Sequence, residues 1–127
     1  MTIAGHDATE LARAHGTPLY VYDSARMEAN LGRLRQALDY AGVRHQLLYA
    51  LKCNRHPDIV ARMRETGVGV DVCSPNEMDM ALAAGWEAED ISYTGTNLSS
   101  RDLERILAHP VILNLDSMSA IRNVGAR

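Results

Sequence analysis

Apolar residues recur along this chain in short, nearly unbroken runs. Each run ends in a polar turn and leads into a stretch whose apolar positions lie three or four apart, the spacing of a helix face. From residue 46 onward the unit appears four times. Residues 47–51 form the first run, predicting a strand over 46–52 and a helix over about 56–66, closed by Thr66-Gly67. Residues 68–73 form the second. Ser74-Pro75-Asn76-Glu77 behind it puts Ser at the N-cap, Pro at the first helical position and Glu at the third, a full capping box whose helix runs to Gly85. The third strand is 91–94, with a helix from near Ser99 that carries Leu103, Ile106 and Leu107 and stops at Pro110. The fourth is 111–116, with a helix that begins after Ser117 and is expected to be still running at Arg127.

Ahead of these units, residues 1–16 predict a short amphipathic lead, with Ala8, Leu11 and Ala12 at helical spacing. Leu19-Tyr20-Val21-Tyr22 reads as a strand. Asp23 or Ser24 caps a helix with Met27, Leu31, Leu34 and Leu38 on one face, ended by Gly42. Two regions follow: a lead strand and helix over 1–45, and the repeated units over 46–127.

Alternating strands and helices at a period near twenty residues indicate parallel βα units wound in one direction, in a barrel or a doubly wound sheet. Strand parity chooses between them. Gly69, Asp71 and Cys73 share one face of their strand, and Val68, Val70 and Val72 share the other. Ser92 and Thr94 oppose Ile91 and Tyr93, and Asn114 and Asp116 oppose Leu113 and Leu115. A doubly wound sheet has helices on both faces and needs both apolar, whereas a barrel turns one face inward. The expected fold is therefore an α/β protein of the parallel (β/α)8 TIM-barrel type. Such a barrel takes roughly 250 residues, so four units make about half of one.

Composition narrows the partners. The net charge of -3, from 13 basic and 16 acidic residues, forms no block of one sign, which indicates neither a nucleic-acid nor a membrane surface and favours small soluble partners. The amino terminus lacks the pattern of a signal peptide, and the expected compartment is the cytoplasm. Cys53 and Cys73 have neither paired metal spacing nor the density of a disulfide scaffold, so no metal is expected.

Candidate chemistry centres on Lys52, where the first apolar run stops. A lysine at the carboxyl end of a strand lies where α/β folds place their sites. Buried beside apolar neighbours, its amine becomes a nucleophile able to form a Schiff base with a carbonyl; alternatively it is an ordinary lysine reaching for solvent.

Tyr49-Ala50-Leu51-Lys52-Cys53-Asn54 resembles the lysine motif of the fold-type III pyridoxal-phosphate decarboxylases, a family that includes diaminopimelate, ornithine and biosynthetic arginine decarboxylases and is related to alanine racemase. Residues 67–74 with Glu77 are similar to its second strand and capped helix, residues 17–23 to the opening of its bacterial diaminopimelate members, and residues 91–95 to its third strand. The resemblance implies an alanine racemase-like barrel holding pyridoxal 5'-phosphate on Lys52, with Asp71 near the lysine in a polar floor. Ala50 and Gly69 would leave room for the cofactor ring, or are simply packing residues. It also implies decarboxylation of an amino acid, diaminopimelate or a related basic one, by a homodimer in the full-length form. A racemase, a non-catalytic cofactor carrier and a truncated interaction partner are the alternatives. Ser74-Pro75-Asn76-Glu77 departs from the Ser-Gly-Gly-Glu commoner in diaminopimelate enzymes, which leaves the substrate open. The family's stacking imidazole, phosphate loop and acidic pyridine partner fall later than residue 127, and His6, His15, His45, His56 and His109 match none of these roles. These 127 residues alone are not expected to work as an enzyme.

Overall fold

A computed structural model describes residues 1–96 and 98–127. The chain divides into two units, Met1–His45 and Gln46–Arg127. The first opens with a hairpin, β1 (Thr2–Ile3) paired antiparallel with β2 (His6–Asp7) in the register Thr2↔Asp7 and Ile3↔His6. Its turn residues Ala4 and Gly5 both have positive φ, 49° and 83°, the geometry that matches strand twist in a two-residue loop. Asp7 then caps α1 (Ala8–His15), its Oδ1 accepting from the Thr9 and Glu10 N–H groups at 2.8 and 3.2 Å. The expected helical lead is thus a hairpin followed by a helix. The strand expected at 19–22 is also absent. Those residues pair with no strand among the described residues, and strand composition without a partner makes no ladder. Of the two candidate caps, Asp23 is the one used, accepting from the Arg26 N–H at 3.0 Å at the start of α2 (Ser24–Tyr40).

The second unit carries the repeated pattern. Its strands are β3 (Leu48–Ala50), β4 (Gly69–Val72), β5 (Ile91–Thr94) and β6 (Ile112–Asn114), all parallel and ordered β3-β4-β5-β6. Neighbours in space are neighbours in sequence, with no reversal of order and hence no switch point, as in consecutive units of a barrel. The connecting helices are α3 (Pro57–Glu65), α4 (Pro75–Ala83) and α5 (Ser100–Leu107), with α6 (Met118–Gly125) after the last strand. Ser74, Ser99 and Ser117 cap α4, α5 and α6 by accepting the N–H three residues on. α6 stops at Gly125 instead of continuing to Arg127.

The core lies between the sheet and its helices. Tyr93, Ile91, Val70 and Val72 on the sheet and Met78, Ala81 and Ile106 on the helices are fully buried or nearly so. The Trp86 indole N–H donates to the Val68 carbonyl at 2.7 Å, so the one tryptophan closes this layer with its polar atom satisfied. At Gly69, a Cβ would lie 2.6 Å from Leu48 Cδ2 and 2.8 Å from the Asp90 carbonyl oxygen. Gly69 is therefore a packing glycine. The room it leaves is filled by a side chain and a backbone, not open to a cofactor.

Tyr93 lies wholly within this layer, and its hydroxyl has no partner among the described residues. Burial, reinforced by the negative charges of Asp102, Cys73 and Glu77, pushes its pKa from 10.0 up to about 12, with Arg105 opposing. Both folded and unfolded chains keep the proton below pH 10. Between pH 10 and about 12 only the unfolded chain releases it, so stability falls through that window by up to about 3 kcal/mol. Tyr93→Phe should remove this component and leave stability at pH 7 unchanged or higher, as read from urea unfolding at pH 7, 10 and 11.

Candidate active site

The parallel register sorts the sheet into two faces. Pairing of Val70 with Ile91 and Val72 with Tyr93 turns the apolar residues toward the helices; pairing of Ala50 with Asp71, Asp71 with Ser92, and Thr94 with Asn114 puts small and polar residues on the other face. Four of these side chains are joined. The Asn114 amide donates to Ser92 Oγ at 2.8 Å and to Thr94 Oγ1 at 3.0 Å. Ser92 Oγ and Thr94 Oγ1 in turn donate to Asp71 Oδ1 at 3.1 and 2.9 Å. Every bond points the same way, from β6 through β5 to β4. One carboxylate oxygen receives two hydroxyl protons, and Oδ2 makes no hydrogen bond among the described residues.

Lys52 sits beyond the Ala50–Asp71 pair, at the carboxyl end of β3. It belongs to a 3₁₀ turn, Leu51–Cys53, instead of the strand itself, because the chain bends where Leu51 drops into the core. This bend turns Lys52 out, and its side chain is exposed, so the buried amine expected from the apolar run is not found. No hydrogen bond or ion pair joins Lys52 to Asp71 among the described residues; the carboxylate is engaged from β5. The loop beyond the lysine is ordered by local bonds. Tyr49 Oη donates to the Asn54 carbonyl at 2.8 Å, Asn54 Oδ1 accepts from the His56 N–H at 2.9 Å, and His56 serves as the N-cap of α3.

Lys52 is the only lysine in the chain; the remaining basic residues are arginines. A guanidinium does not condense with an aldehyde under ordinary conditions, so Lys52 is the one side-chain amine available for that chemistry. The surroundings fit an aldehyde cofactor in two respects: the amine is accessible, and Ala50 on the same sheet face as Asp71 offers only a methyl group. The hydroxyls and the amide of the floor give their donors to one another and to Asp71, so they offer none to a phosphate group.

The polar chain was half legible. Alternation placed Ser92, Thr94 and Asn114 on the Asp71 face, but a sequence does not say that three strands align them into bonds. Glu77 was missed as anything beyond a cap. The Ser74 half of the capping box forms, at 3.2 Å, while the Glu77 carboxylate accepts from the Cys73 N–H at 2.8 Å, one residue before the position expected. Its side chain is 6% exposed and meets Arg55 Nη1 at 3.5 Å.

Asp71→Ala would orphan the hydroxyl of buried Ser92 and should cost about 1–3 kcal/mol. Adding Ser92→Ala should return part of that loss, because the orphaned donor goes with it. Strictly additive losses in urea unfolding would mean that the two residues are not coupled.

The comparisons with known proteins point one way. The model of the pyridoxal-dependent decarboxylases, for their pyridoxal binding domain, matches residues 24–127. The chain is 40% identical over 121 residues to the diaminopimelate decarboxylase of Methanothermobacter thermautotrophicus, covering 95% of this chain and 28% of that protein. It is 38% identical over 111 residues to that of Bacillus subtilis, covering 87% and 25%. Diaminopimelate decarboxylase from M. jannaschii in co-complex with L-lysine superposes with a TM-score of 0.86 at 26% identity, over 98% of this chain and 30% of that one. The chain thus spans less than a third of the length of these relatives.

Proposed function

Because the chain belongs to the pyridoxal-dependent decarboxylase family, through its pyridoxal binding domain, we propose that it supplies the lysine-bearing part of an amino-acid decarboxylase whose substrate is diaminopimelate. Placement of the lone Lys52 at the carboxyl end of β3, beside a polar sheet face, is the observation that carries this reading. Similarity to relatives named diaminopimelate decarboxylase supports the substrate. Loss of one carboxylate from diaminopimelate as carbon dioxide, with a proton taking its place on the carbon, leaves lysine; the reaction would belong to lysine synthesis in the cytoplasm, carried out by a homodimer.

Pyridoxal phosphate, when bound, supplies the electron sink that stabilises the carbon from which carbon dioxide departs. Lys52 would hold it covalently through Nζ, and the exposure of that side chain gives the aldehyde access. Ala50, on the strand that leads to Lys52, offers only a methyl group to the site face and so leaves space. Asp71, with Oδ1 fixed by Ser92 and Thr94, keeps Oδ2 available as an acceptor for a donor on the cofactor or on the lysine. The domain boundary follows the same division, 1–45 leading into the cofactor-binding part at 46–127.

The full-length protein loaded with pyridoxal phosphate should release carbon dioxide from diaminopimelate and form lysine. Lys52→Ala should abolish turnover. Release from ornithine, arginine or lysine, but not from diaminopimelate, would keep the decarboxylase and discard the substrate; no release from any of the four would discard the reading.

A further inference from the structure

A single buried carboxylate ties together the two loops that carry the candidate site. Arg55 trails Lys52 by three residues, and Cys73 trails Asp71 by two. Glu77 reaches both: Oε2 takes the Cys73 backbone N–H at 2.8 Å and Oε1 faces Arg55 Nη1 at 3.5 Å. The side chain of Glu77 is 6% exposed and that of Arg55 57%. Surface ion pairs have both ends in water and contribute little. Here the acidic end is dry, and removal of its counter-charge would leave a buried carboxylate with one N–H donor. The chain therefore gains by holding Arg55 over Glu77, and the loop holding Arg55 is the one that leaves Lys52.

We propose that Arg55 is a positioning residue, clamped on Glu77 so that the Lys52 turn is fixed against the end of β4. The bonds already described at Tyr49 and His56 restrain the same loop from its other side, between β3 and α3, so the clamp is what ties it across to the next βα unit. The clamp explains why the expected capping box is incomplete. Glu77 is turned inward to Cys73 and Arg55 and does not reach back to Ser74. This inference rests on the reading of Lys52 as the cofactor lysine in its consequence for binding, but not in its geometry.

The test uses the full-length protein and three variants: Arg55→Gln, Glu77→Gln and both together. Glu77→Gln retains an oxygen acceptor for the Cys73 N–H and removes the charge pair, so it reports on the clamp even if Arg55→Gln folds poorly. Amide exchange of residues 53–56, measured without cofactor, should speed up severalfold in each variant. Pyridoxal-phosphate affinity, measured by absorbance, should fall severalfold, and the double variant should be no worse than either single one. Arg62→Gln, which breaks the exposed pair with Glu65 on α3, should change neither. Unchanged exchange in both single variants would overturn the clamp. Faster exchange with unchanged affinity would overturn its positioning role. If the unaltered protein binds no pyridoxal phosphate, the cofactor reading falls, while the exchange rates still decide the clamp.

Discussion

Side-chain alternation in a parallel sheet that has helices on one face is the constraint on which the second unit depends. In β4 it sends Val70 and Val72 to the helices, where both are fully buried, and leaves Asp71 on the opposite face. Register then carries the same division to β5 and β6. A slip of one residue would turn the carboxylate into the apolar layer and the valines toward the site, so packing of the core and placement of the polar chain are fixed by one choice. The apolar layer sets the register, and Asp71, Ser92, Thr94 and Asn114 come into hydrogen-bonding distance as a result.

Much of this was legible from residue types. The limits of β5 agree with the expected 91–94, Ser74 caps α4 as expected, Asp23 is one of the two caps expected for α2, and α5 and α6 begin beside Ser99 and Ser117 as expected, because a cap depends on contacts within three residues. What escaped depends on partners distant in sequence. Residues 19–22 have strand composition but no strand beside them. Glu77 has the position of a cap residue, and its turn toward Arg55 is decided by an ion pair across 22 positions of chain. Gly69 allowed either room for a ring or simple packing, and Leu48 and the Asp90 carbonyl decide for packing. The hairpin at residues 2–7 went unseen because its turn, Ala4-Gly5, puts positive φ on an alanine, an uncommon choice.

Lys52 shows how a local bend alters chemistry. An apolar run ending in lysine suggests a strand that buries the amine, yet the 3₁₀ turn lets Leu51 keep the core position and releases Lys52 to the exposed end of the sheet. Reactivity then has to come from position and from the partner the amine meets, not from burial in an apolar wall. A single lysine among 127 residues, placed beside a face on which the Asp71 carboxylate is held by two hydroxyls, is an arrangement in which position can do this.

The most direct measurement of the account is the site of covalent attachment. Borohydride reduction of the full-length protein loaded with pyridoxal phosphate, followed by protease digestion and mass spectrometry, fixes the cofactor to the amine that holds it. The account predicts the pyridoxyl group on the peptide that contains Lys52. A label on the amino terminus of the chain, or on a lysine outside these 127 residues, would contradict it.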